Sequence, residues 1–416
     1  MTDNSQKPSA VILGGLNTFS RALASFLVPV DAEPLVSRLR IVDKFSVAPP
    51  TTYLGAEFPK TLSNPLVEYR QANLTVPSAV SAALEPADGH EAFDYIFDFT
   101  GEIRHDRTEM IQIKTTCHVA RLIGLEAAKR KNKAYIRIQL PFYETSSKGT
   151  HDEKEDVKPQ GVIGTWWHET LRMLAAIPDL NLVILRIGFA YGPYVNIGNI
   201  TSAITVGAVY GYTKKPMKSM WSPGKNPTHT IHVDDVAGAA WACAQWIGPL
   251  GRSAANAAAG EVIPFHNDKN KVKEVEGMPA HNEKLVAPLF NLVDDSNSTL
   301  LSVGQTITSY FGTTFEFFNL VESTKLKLAD DAVEDINEHH VGGWTEMITS
   351  SNPPVPNTPL SAYMDTYALE KHVAAFSNTK IRGITGYQLK YPAFNHATLK
   401  EIIDKWKAEG SWPVLE

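Results

Sequence analysis

The sequence predicts an α/β protein built on a doubly wound parallel sheet, with a smaller α/β region towards the C-terminus. Short apolar runs alternate with longer stretches of helical periodicity over about the first 190 of the 416 residues. The first apolar run ends in two glycines, and the second ends in an aspartate. Strands that alternate with helices pair in parallel, because each helix returns the chain to the same end of the sheet.

The predicted elements follow in a regular order. Strands are expected at 9–14, 39–43, 67–70, 94–100, 134–139 and 180–187. Helical periodicity covers 17–27, 113–130 and 165–176. Beyond Gly192 the pattern is less regular, and it predicts a strand at 228–233, a helix at 234–246, a late strand at 290–293 and a closing helix at 399–407.

These elements divide the chain into two predicted domains. Residues 1–190 form a nucleotide-binding Rossmann-type domain, which receives later contributions from about 228–246 and 286–295. Residues 191–416 form mainly a substrate-binding region. Within that region, the polar stretch at about 266–285 is expected to be a flexible insertion.

Composition narrows the class of partner. The formal net charge is −6 and no block of Lys or Arg stands out, which argues against nucleic acid and anionic membranes. No apolar run is long enough to cross a membrane, and the first nine residues are too polar for a secretory signal. The two cysteines, Cys117 and Cys243, are far apart. They predict neither a disulfide framework nor a metal site, and a reducing, cytoplasmic location fits them best.

A glycine turn joins the first strand to the first helix, and it reads Gly14-Gly15-Leu16-Asn17-Thr18-Phe19-Ser20. Such a turn lets backbone N–H groups meet a pyrophosphate at the N-terminus of the helix. Asn17 and Ser20 stand where the usual fingerprint has its second and third glycines. The loop can still form, because asparagine tolerates left-handed backbone and serine is small. A tight turn that binds nothing is the alternative interpretation.

Asp43 closes the second predicted strand, at the place where a carboxylate hydrogen-bonds the ribose diol of a dinucleotide. A carboxylate there also repels a 2′-phosphate, so it favours NAD over NADP. Lys44 beside it would attract a 2′-phosphate and so weakens that preference, which leaves NADP as the second possibility. An acid that merely caps a turn is the alternative interpretation of Asp43.

Five stretches carry a family resemblance in the right order: 10–23 with the glycine turn, 94–101 (DYIFDFTG), 185–193 (LRIGFAYGP), 229–240 (HTIHVDDVAGAA) and 291–295 (NLVDD). Together they resemble the extended short-chain dehydrogenase/reductase family, the NAD-dependent epimerases and dehydratases. The resemblance implies bound NAD, a small-molecule substrate in a cleft between two domains, and a homodimer paired through two helices. It places Thr18 and Phe19 in the cofactor loop, and Thr100 and Gly101 near the nicotinamide.

The residues that carry the family's chemistry are missing. Members of the family use Tyr-x-x-x-Lys on one helix, with a Ser or Thr at the end of a strand. When Glu169 is aligned with the acid that follows this motif, Gly161 takes the tyrosine position and Thr165 takes the lysine position. Neither residue can perform that proton transfer. The strand that should end in serine reads 138–141, Ile-Gln-Leu-Pro, and therefore lacks the hydroxyl as well.

Other side chains are candidates for the lost role. Tyr143 follows the fifth predicted strand, His168 lies on the helix of the lost dyad, and Tyr191 belongs to the Tyr-Gly-Pro motif. A second group follows the fourth strand, whose C-terminal end faces the cleft in such folds: Glu102, Arg104 and His105. Tyrosine, histidine and glutamate can together support proton transfer. A packing or solvated role is the alternative interpretation for each of them.

Three functions remain open from the sequence. The first is an atypical epimerase, dehydratase, reductase or isomerase that acts on a small, rather apolar molecule, as Met217, Met220 and Trp221 suggest. The second is a catalytically inactive module that senses the cofactor or binds a partner. The third is an ordinary nucleotide-sugar epimerase or dehydratase whose active site is misaligned here. Against the third, the stretch 226–229 lacks the arginine that grips the sugar nucleotide's phosphates in the family.

Overall fold

The computed structural model describes residues 7–328 and 332–415. Residues 1–6, on which part of the argument against a secretory signal rests, lie outside the described chain. The strands are β1 (Ser9–Leu13), β2 (Arg38–Asp43), β3 (Val67–Gln71), β4 (Tyr95–Asp98), β5 (Ala134–Gln139), β6 (Tyr143–Glu144), β7 (Lys158–Pro159), β8 (Leu182–Ile187), β9 (Phe189–Tyr191), β10 (Met217–Ser219), β11 (Thr230–His232), β12 (Gly260–Val262), β13 (Val286–Leu292) and β14 (Phe315–Phe317).

The helices surround these strands. They are α1 (Ser20–Leu27), α2 (Phe58–Leu62), α3 (Pro77–Leu84), α4 (Glu109–Gln112), α5 (Val119–Arg130), α6 (Gly161–Ala175), α7 (Asn199–Thr213), α8 (Val233–Ala259), α9 (Lys269–Lys273), α10 (Leu300–Tyr310), α11 (Leu320–Leu328), α12 (Ala332–Thr349), α13 (Thr366–Leu369), α14 (Thr379–Thr385) and α15 (His396–Ala408). A π-helical turn, Ile113–His118, joins α4 to α5. None of the described helices has both the length and the apolar composition needed to span a bilayer.

Eight strands of the described chain form one sheet, in the order β12-β13-β8-β5-β4-β1-β2-β3. All pairings in this sheet are parallel except that of β12 with β13. The strand order reverses at β1, which lies between β2 and β4, and ligands of such sheets bind in the crevice at this point. The doubly wound α/β fold that the sequence predicted is therefore confirmed.

Helices cover both faces of the sheet. Leu23 of α1 and Ala240 of α8 pack with the alternate strand residues on one face. Ile123 of α5 and Leu174 of α6 pack with the strand residues that point to the other face. The strands predicted in the first 190 residues begin and end within two residues of the observed ones, because their continuous apolar runs suit strands that are buried on both faces.

The remaining elements build a second core beside the C-terminal ends of the strands. Helix α7 contacts both α10 and α12 there, and β10 pairs in parallel with β14. The core is aromatic, and Trp344, Trp406 and Trp412 pack at its centre. Expectation and structure differ most in the C-terminal half, where β13 begins four residues earlier than predicted and α8 continues to Ala259.

The segment 263–285, which includes the stretch predicted to be a flexible insertion, lies across helix α6. It contains α9, and the Arg172 guanidinium donates hydrogen bonds to the carbonyl oxygens of Ile263, Ala280 and Glu283. Its Glu276 also pairs with Arg121 of α5 at 3.0 Å. With this segment in place, α6 is buried along almost its whole length.

Candidate functional site

The turn between β1 and α1 requires glycine at its first two positions. Gly14 and Gly15 have φ angles of +69° and +72°, which residues with side chains rarely adopt. Their surroundings are closed as well: a Cβ on Gly15 would lie 2.6 Å from Cβ of Phe99, and one on Gly14 would lie 3.0 Å from Cγ2 of Thr100. The backbone of the turn therefore packs directly against the chain that leaves β4.

Hydrogen bonds fix the shape of this turn and join it to the C-terminal region. The amide groups of Thr18 and Phe19 both donate to the carbonyl oxygen of Gly15, at 2.9 and 3.0 Å. The carbonyl oxygen of Asn17 accepts the amide of Asn196 at 3.2 Å. The turn and the chain that follows β9 thus meet at the cleft.

Asp43 stands at the end of β2 and faces the same turn. Its Oδ2 accepts the amide of Leu16 at 3.1 Å, and its Oδ1 accepts the amide of Lys44 at 2.6 Å. The side chain is almost fully buried, and burial raises the pKa of the carboxyl group. Each carboxylate oxygen has two lone pairs, so both can accept a further hydrogen bond from a ribose hydroxyl.

A groove of about 370 Å³, here called the switch-point groove, follows this edge of the sheet. Its walls include eight of the nine residues predicted to bind the cofactor: Gly14, Gly15, Asn17, Thr18, Asp43, Lys44, Thr100 and Gly101. The ninth, Phe19, lines the adjoining cavity. The sequence pattern and the geometry therefore define the same groove, although contact with a cofactor stays a prediction.

The adjoining cavity, here called the inner pocket, has a volume of about 290 Å³. It shares the lining residues Thr18, Ile103 and Ile197 with the switch-point groove, so the two spaces adjoin. One wall is apolar and is formed by the chain that leaves β5: Leu140, Pro141 and Phe142. Such a pocket, apolar with a few polar groups, suits a small organic molecule.

The two positions at which the family resemblance predicts a Tyr-Lys dyad carry no usable acid or base. Gly161 is the first residue of α6, with a φ of +64°. The Thr165 hydroxyl donates to the Gly161 carbonyl oxygen at 2.8 Å and is thereby bound within its own helix. Leu140 lies next to β5, where the family resemblance predicts a hydroxyl. Proton transfer in the inner pocket would have to come from other groups.

Two of the predicted catalytic residues do meet, but away from the inner pocket. The Tyr143 hydroxyl lies 3.0 Å from Nδ1 of His168, and Nε2 of His168 lies 2.7 Å from the carbonyl oxygen of Pro264. Since a carbonyl can only accept, Nε2 carries the proton and Nδ1 accepts the tyrosine hydroxyl. Burial lowers the pKa of His168 to about 3 and raises that of Tyr143. The pair fastens three segments together in the interior and lines neither cavity.

Tyr191, the third predicted catalytic residue, lies in the C-terminal core. Its ring packs edge-on against His232 and Phe394, with centroids 5.2 and 4.8 Å apart. The residue is completely buried, and burial raises the pKa of its hydroxyl. It lines neither the switch-point groove nor the inner pocket, because β9 directs its side chain into the aromatic core.

The polar residues that line the inner pocket include His105, which was a candidate from the sequence, and two others, Asp365 and Tyr367, which were not. His105 lies on the loop after β4, and Asp365 and Tyr367 come from the segment around α13. Tyr367 stacks on His105 with 3.7 Å between ring centroids. No local pattern marks residues 365–367, because only tertiary folding brings them to the sheet edge. The signal for His105 was its position after the fourth strand.

A third cavity, here called the outer cavity, has a volume of about 550 Å³ and lies within the C-terminal region. It meets the inner pocket at Asn199 and Ala368. Many of its walls are apolar or aromatic: Ile200, Met217, Met220, Trp221, Val303, Phe315, Phe318 and Ile336. Within the described residues, no group of three or more His, Cys, Asp or Glu side chains is arranged to hold a metal ion.

The sequence matches no known protein-family profile, and no curated protein is significantly similar to it. Solved structures are similar in fold. The Bordetella bronchiseptica enzyme WbmG, solved with NAD, has a TM-score of 0.59 and 11% identity, over 99% of this chain and 98% of that one.

Two epimerases give the same result. UDP-glucose 4-epimerase of Thermotoga maritima, solved with UDP-glucose, has a TM-score of 0.58 and 12% identity, over 96% of this chain and 98% of that one. ADP-L-glycero-D-manno-heptose-6-epimerase of Helicobacter pylori has a TM-score of 0.58 and 12% identity, over 97% of each chain. At such identities the likeness shows that this chain shares the fold of these epimerases from end to end.

Proposed function

We propose that the chain is an atypical member of the extended short-chain dehydrogenase/reductase family. In this proposal, NAD binds in the switch-point groove and a small, rather apolar molecule binds in the inner pocket. The observation that carries the proposal is the closed glycine turn, whose Leu16 amide donates a hydrogen bond to Asp43 at the edge of the groove. A bound dinucleotide places its pyrophosphate at such a turn and its ribose diol at such a carboxylate.

Two further facts support the cofactor. The similar structures include WbmG, solved with NAD, and a second enzyme solved with UDP-glucose and NAD. Asp43 also favours NAD over NADP by repelling a 2′-phosphate, whereas Lys44 on the same groove would attract one. We therefore propose NAD as the preferred dinucleotide and NADP as the weaker one.

The lining residues of the inner pocket and of the outer cavity support an apolar substrate. The outer cavity carries Lys215 and Lys218 but also Asp335 and Glu370, so its charged lining residues balance. A nucleotide-sugar pyrophosphate needs an excess of cationic donors. The inner pocket, which adjoins the switch-point groove, is lined by the apolar side chains of Leu140 and Phe142. We propose that these walls hold hydrocarbon or aromatic surface.

A catalytically silent NAD-binding module is the second candidate. The observation in its favour is the loss of the dyad, with Gly161 and Thr165 in its place and Leu140 where the hydroxyl should be.

The cytoplasm is the proposed compartment for either function, since Cys117 and Cys243 are free and buried thiols.

The proposal is tested by titrating the purified chain with NAD and NADP while its melting temperature and tryptophan fluorescence are recorded. Saturable stabilisation by NAD is expected, because a ligand that binds only the folded state raises stability by RT ln(1 + [L]/Kd). The cofactor proposal would be contradicted if the melting temperature and the fluorescence both stayed unchanged with either dinucleotide. A library of apolar alcohols and ketones is then assayed both by the absorbance of the reduced cofactor and by chromatography of the products. Absorbance detects net oxidation or reduction, chromatography detects isomerisation or elimination, and the absence of both supports a silent module. UDP-glucose tests the nucleotide-sugar alternative by product chromatography, because an epimerase or dehydratase returns the hydride to its substrate and leaves no net change in cofactor absorbance.

A further inference from the structure

His105 is held at the wall of the inner pocket by aromatic contacts. Its ring lies flat on Tyr367, with 3.7 Å between centroids and 10° between planes, and edge-on to Phe142 at 5.3 Å. The loop that carries it is fixed as well, since Nε1 of Trp167 donates to the Glu102 carbonyl oxygen at 2.7 Å. A ring clamped on two sides keeps its orientation without hydrogen bonds of its own.

The nitrogens of this ring are unused. Within the described chain neither nitrogen of His105 forms a hydrogen bond, whereas His168, His229 and His372 each bond through a ring nitrogen. Burial lowers the pKa of His105 to about 4 despite the nearby carboxylate of Asp365. The ring is therefore neutral at pH 7, with one N–H donor and one acceptor nitrogen.

The position of His105 matches the place of the missing chemistry. Its loop leaves β4 just after Thr100 and Gly101, at the carboxyl end of the parallel sheet. The ring faces the same pocket as Leu140, which stands where family members have a catalytic hydroxyl. A polar group at this point would reach the end of a molecule that lies against the nicotinamide half of the groove.

We propose that His105 hydrogen-bonds an oxygen atom of the molecule that occupies the inner pocket. The ligand class is then an apolar body with one carbonyl, enol or phenol oxygen. This inference rests on the proposed function, in which the inner pocket receives a small apolar molecule beside NAD. A neutral imidazole polarises such an oxygen by donating its N–H, as neutral histidine does in other enzymes. Tyr367 and Phe142 act as positioning residues for the ring.

The test uses 4-nitrophenol and nitrobenzene, in the presence of saturating NAD, as probes that differ by one ionisable oxygen. The phenolate absorbs visible light, so a pH titration gives the apparent pKa of the bound phenol. A donor N–H bonds the charged phenolate more strongly than the neutral phenol. Replacing the donor should raise that pKa by about one unit, or about tenfold in relative affinity.

His105→Phe is the matched substitution, because phenylalanine keeps the stacking on Tyr367 and removes both nitrogens. We expect it to raise the apparent pKa of bound 4-nitrophenol and to leave nitrobenzene affinity unchanged. His105→Gln, which keeps a side-chain N–H donor, should bring the apparent pKa of bound 4-nitrophenol most of the way back to its value in the unsubstituted chain. His90→Phe, at an exposed loop position, serves as the control and should match the unsubstituted chain.

Each result decides something different. Equal pKa values for bound 4-nitrophenol in the unsubstituted chain and in folded His105→Phe would overturn the role of His105 while leaving the pocket assignment intact. Failure of both probes to bind the unsubstituted chain, while NAD binds, would overturn the pocket assignment and this inference with it. Should His105→Phe not fold, His105→Leu removes the same nitrogens in a smaller side chain and is interpreted in the same way.

Discussion

Replacing Asp43 with alanine tests the cofactor site most directly. A carboxylate that accepts the two hydroxyls of a ribose makes two charge-assisted hydrogen bonds, each worth about 1.5 to 3 kcal/mol. Part of this is recovered when water solvates the freed hydroxyls. A net loss of about 3 kcal/mol is therefore expected, which corresponds to about a hundredfold weaker NAD binding.

The same substitution also perturbs the free protein. The Asp43 carboxylate accepts the amide of Leu16 at 3.1 Å in the turn itself, and alanine leaves that buried N–H without its acceptor. An unpaired buried donor costs about 1 to 3 kcal/mol of stability. A weaker affinity alone would therefore not separate a direct contact from a distorted turn.

The ratio of the two cofactors makes that separation. Removal of the carboxylate also removes the repulsion of a 2′-phosphate, and Lys44 remains on the groove to attract it. NADP binding should thus fall much less than NAD binding, or improve, and the preference for NAD should drop by at least about tenfold. A distorted turn would weaken both dinucleotides equally, because they share the pyrophosphate.

Isothermal titration calorimetry of both dinucleotides gives the affinities, and thermal unfolding reports the state of the fold. Asp31→Ala is the control, since Asp31 is exposed and outside the groove. The reasoning is refuted if folded Asp43→Ala binds NAD as well as the unsubstituted chain does. It is refuted equally if both dinucleotides weaken by the same factor.

Three further outcomes are expected. Gly15→Ala should abolish NAD binding and lower the melting temperature, because its Cβ would lie 2.6 Å from Cβ of Phe99 at a φ of +72°; calorimetry showing intact affinity would contradict this. Burial raises the pKa of Asp294 to about 6, so the folded state holds the proton more tightly than the unfolded one. Loss of the proton held by Asp294 should therefore lower the free energy of unfolding by about 3 kcal/mol as the pH rises from about 4 to about 6. Urea titrations at each pH measure this free energy, and the same pH dependence in the unsubstituted chain and in Asp294→Asn would refute the prediction. Because the segment 263–285 covers α6 and also reaches α5, a homodimer should not form through these two helices; a dimer in light scattering that exposed substitutions on α5 break apart would contradict this.

The groove proposed for the cofactor was predictable because the residues that form it are set by local sequence. Gly14 and Gly15 mark a turn that only positive φ angles can make, and Asp43 follows an apolar run that ends at the same sheet edge. Thr100 and Gly101 follow another apolar run, β4, which is the neighbour of β1 in the sheet, and they line the same groove. Each of these inferences needs only the position of a residue at the end of a predicted parallel strand.

The substrate half was not predictable in the same way. Tyr143 and His168 were each named as candidates for the lost role, and the structure brings the two together at 3.0 Å. Sequence does not tell which side of α6 faces the cleft, however. The segment 263–285 covers the side that bears His168, so the pair is interior. Tyr367 reaches the inner pocket from the short helix α13, more than 200 residues beyond β5, and no periodicity encodes that placement.

The state of the inner pocket bears on whether the chain is an enzyme or a silent module. Protein interiors pack densely, and an unfilled apolar space costs stability in proportion to its size. A chain that only sensed NAD would gain stability from larger side chains at Leu140 or Ala190, both of which line the pocket. The pocket instead remains about 290 Å³ in volume, adjoins the groove, and presents the unpaired nitrogens of His105. An apolar space kept open beside a dinucleotide groove, with a neutral hydrogen-bonding ring clamped at its wall, favours a bound small molecule over a closed regulatory module.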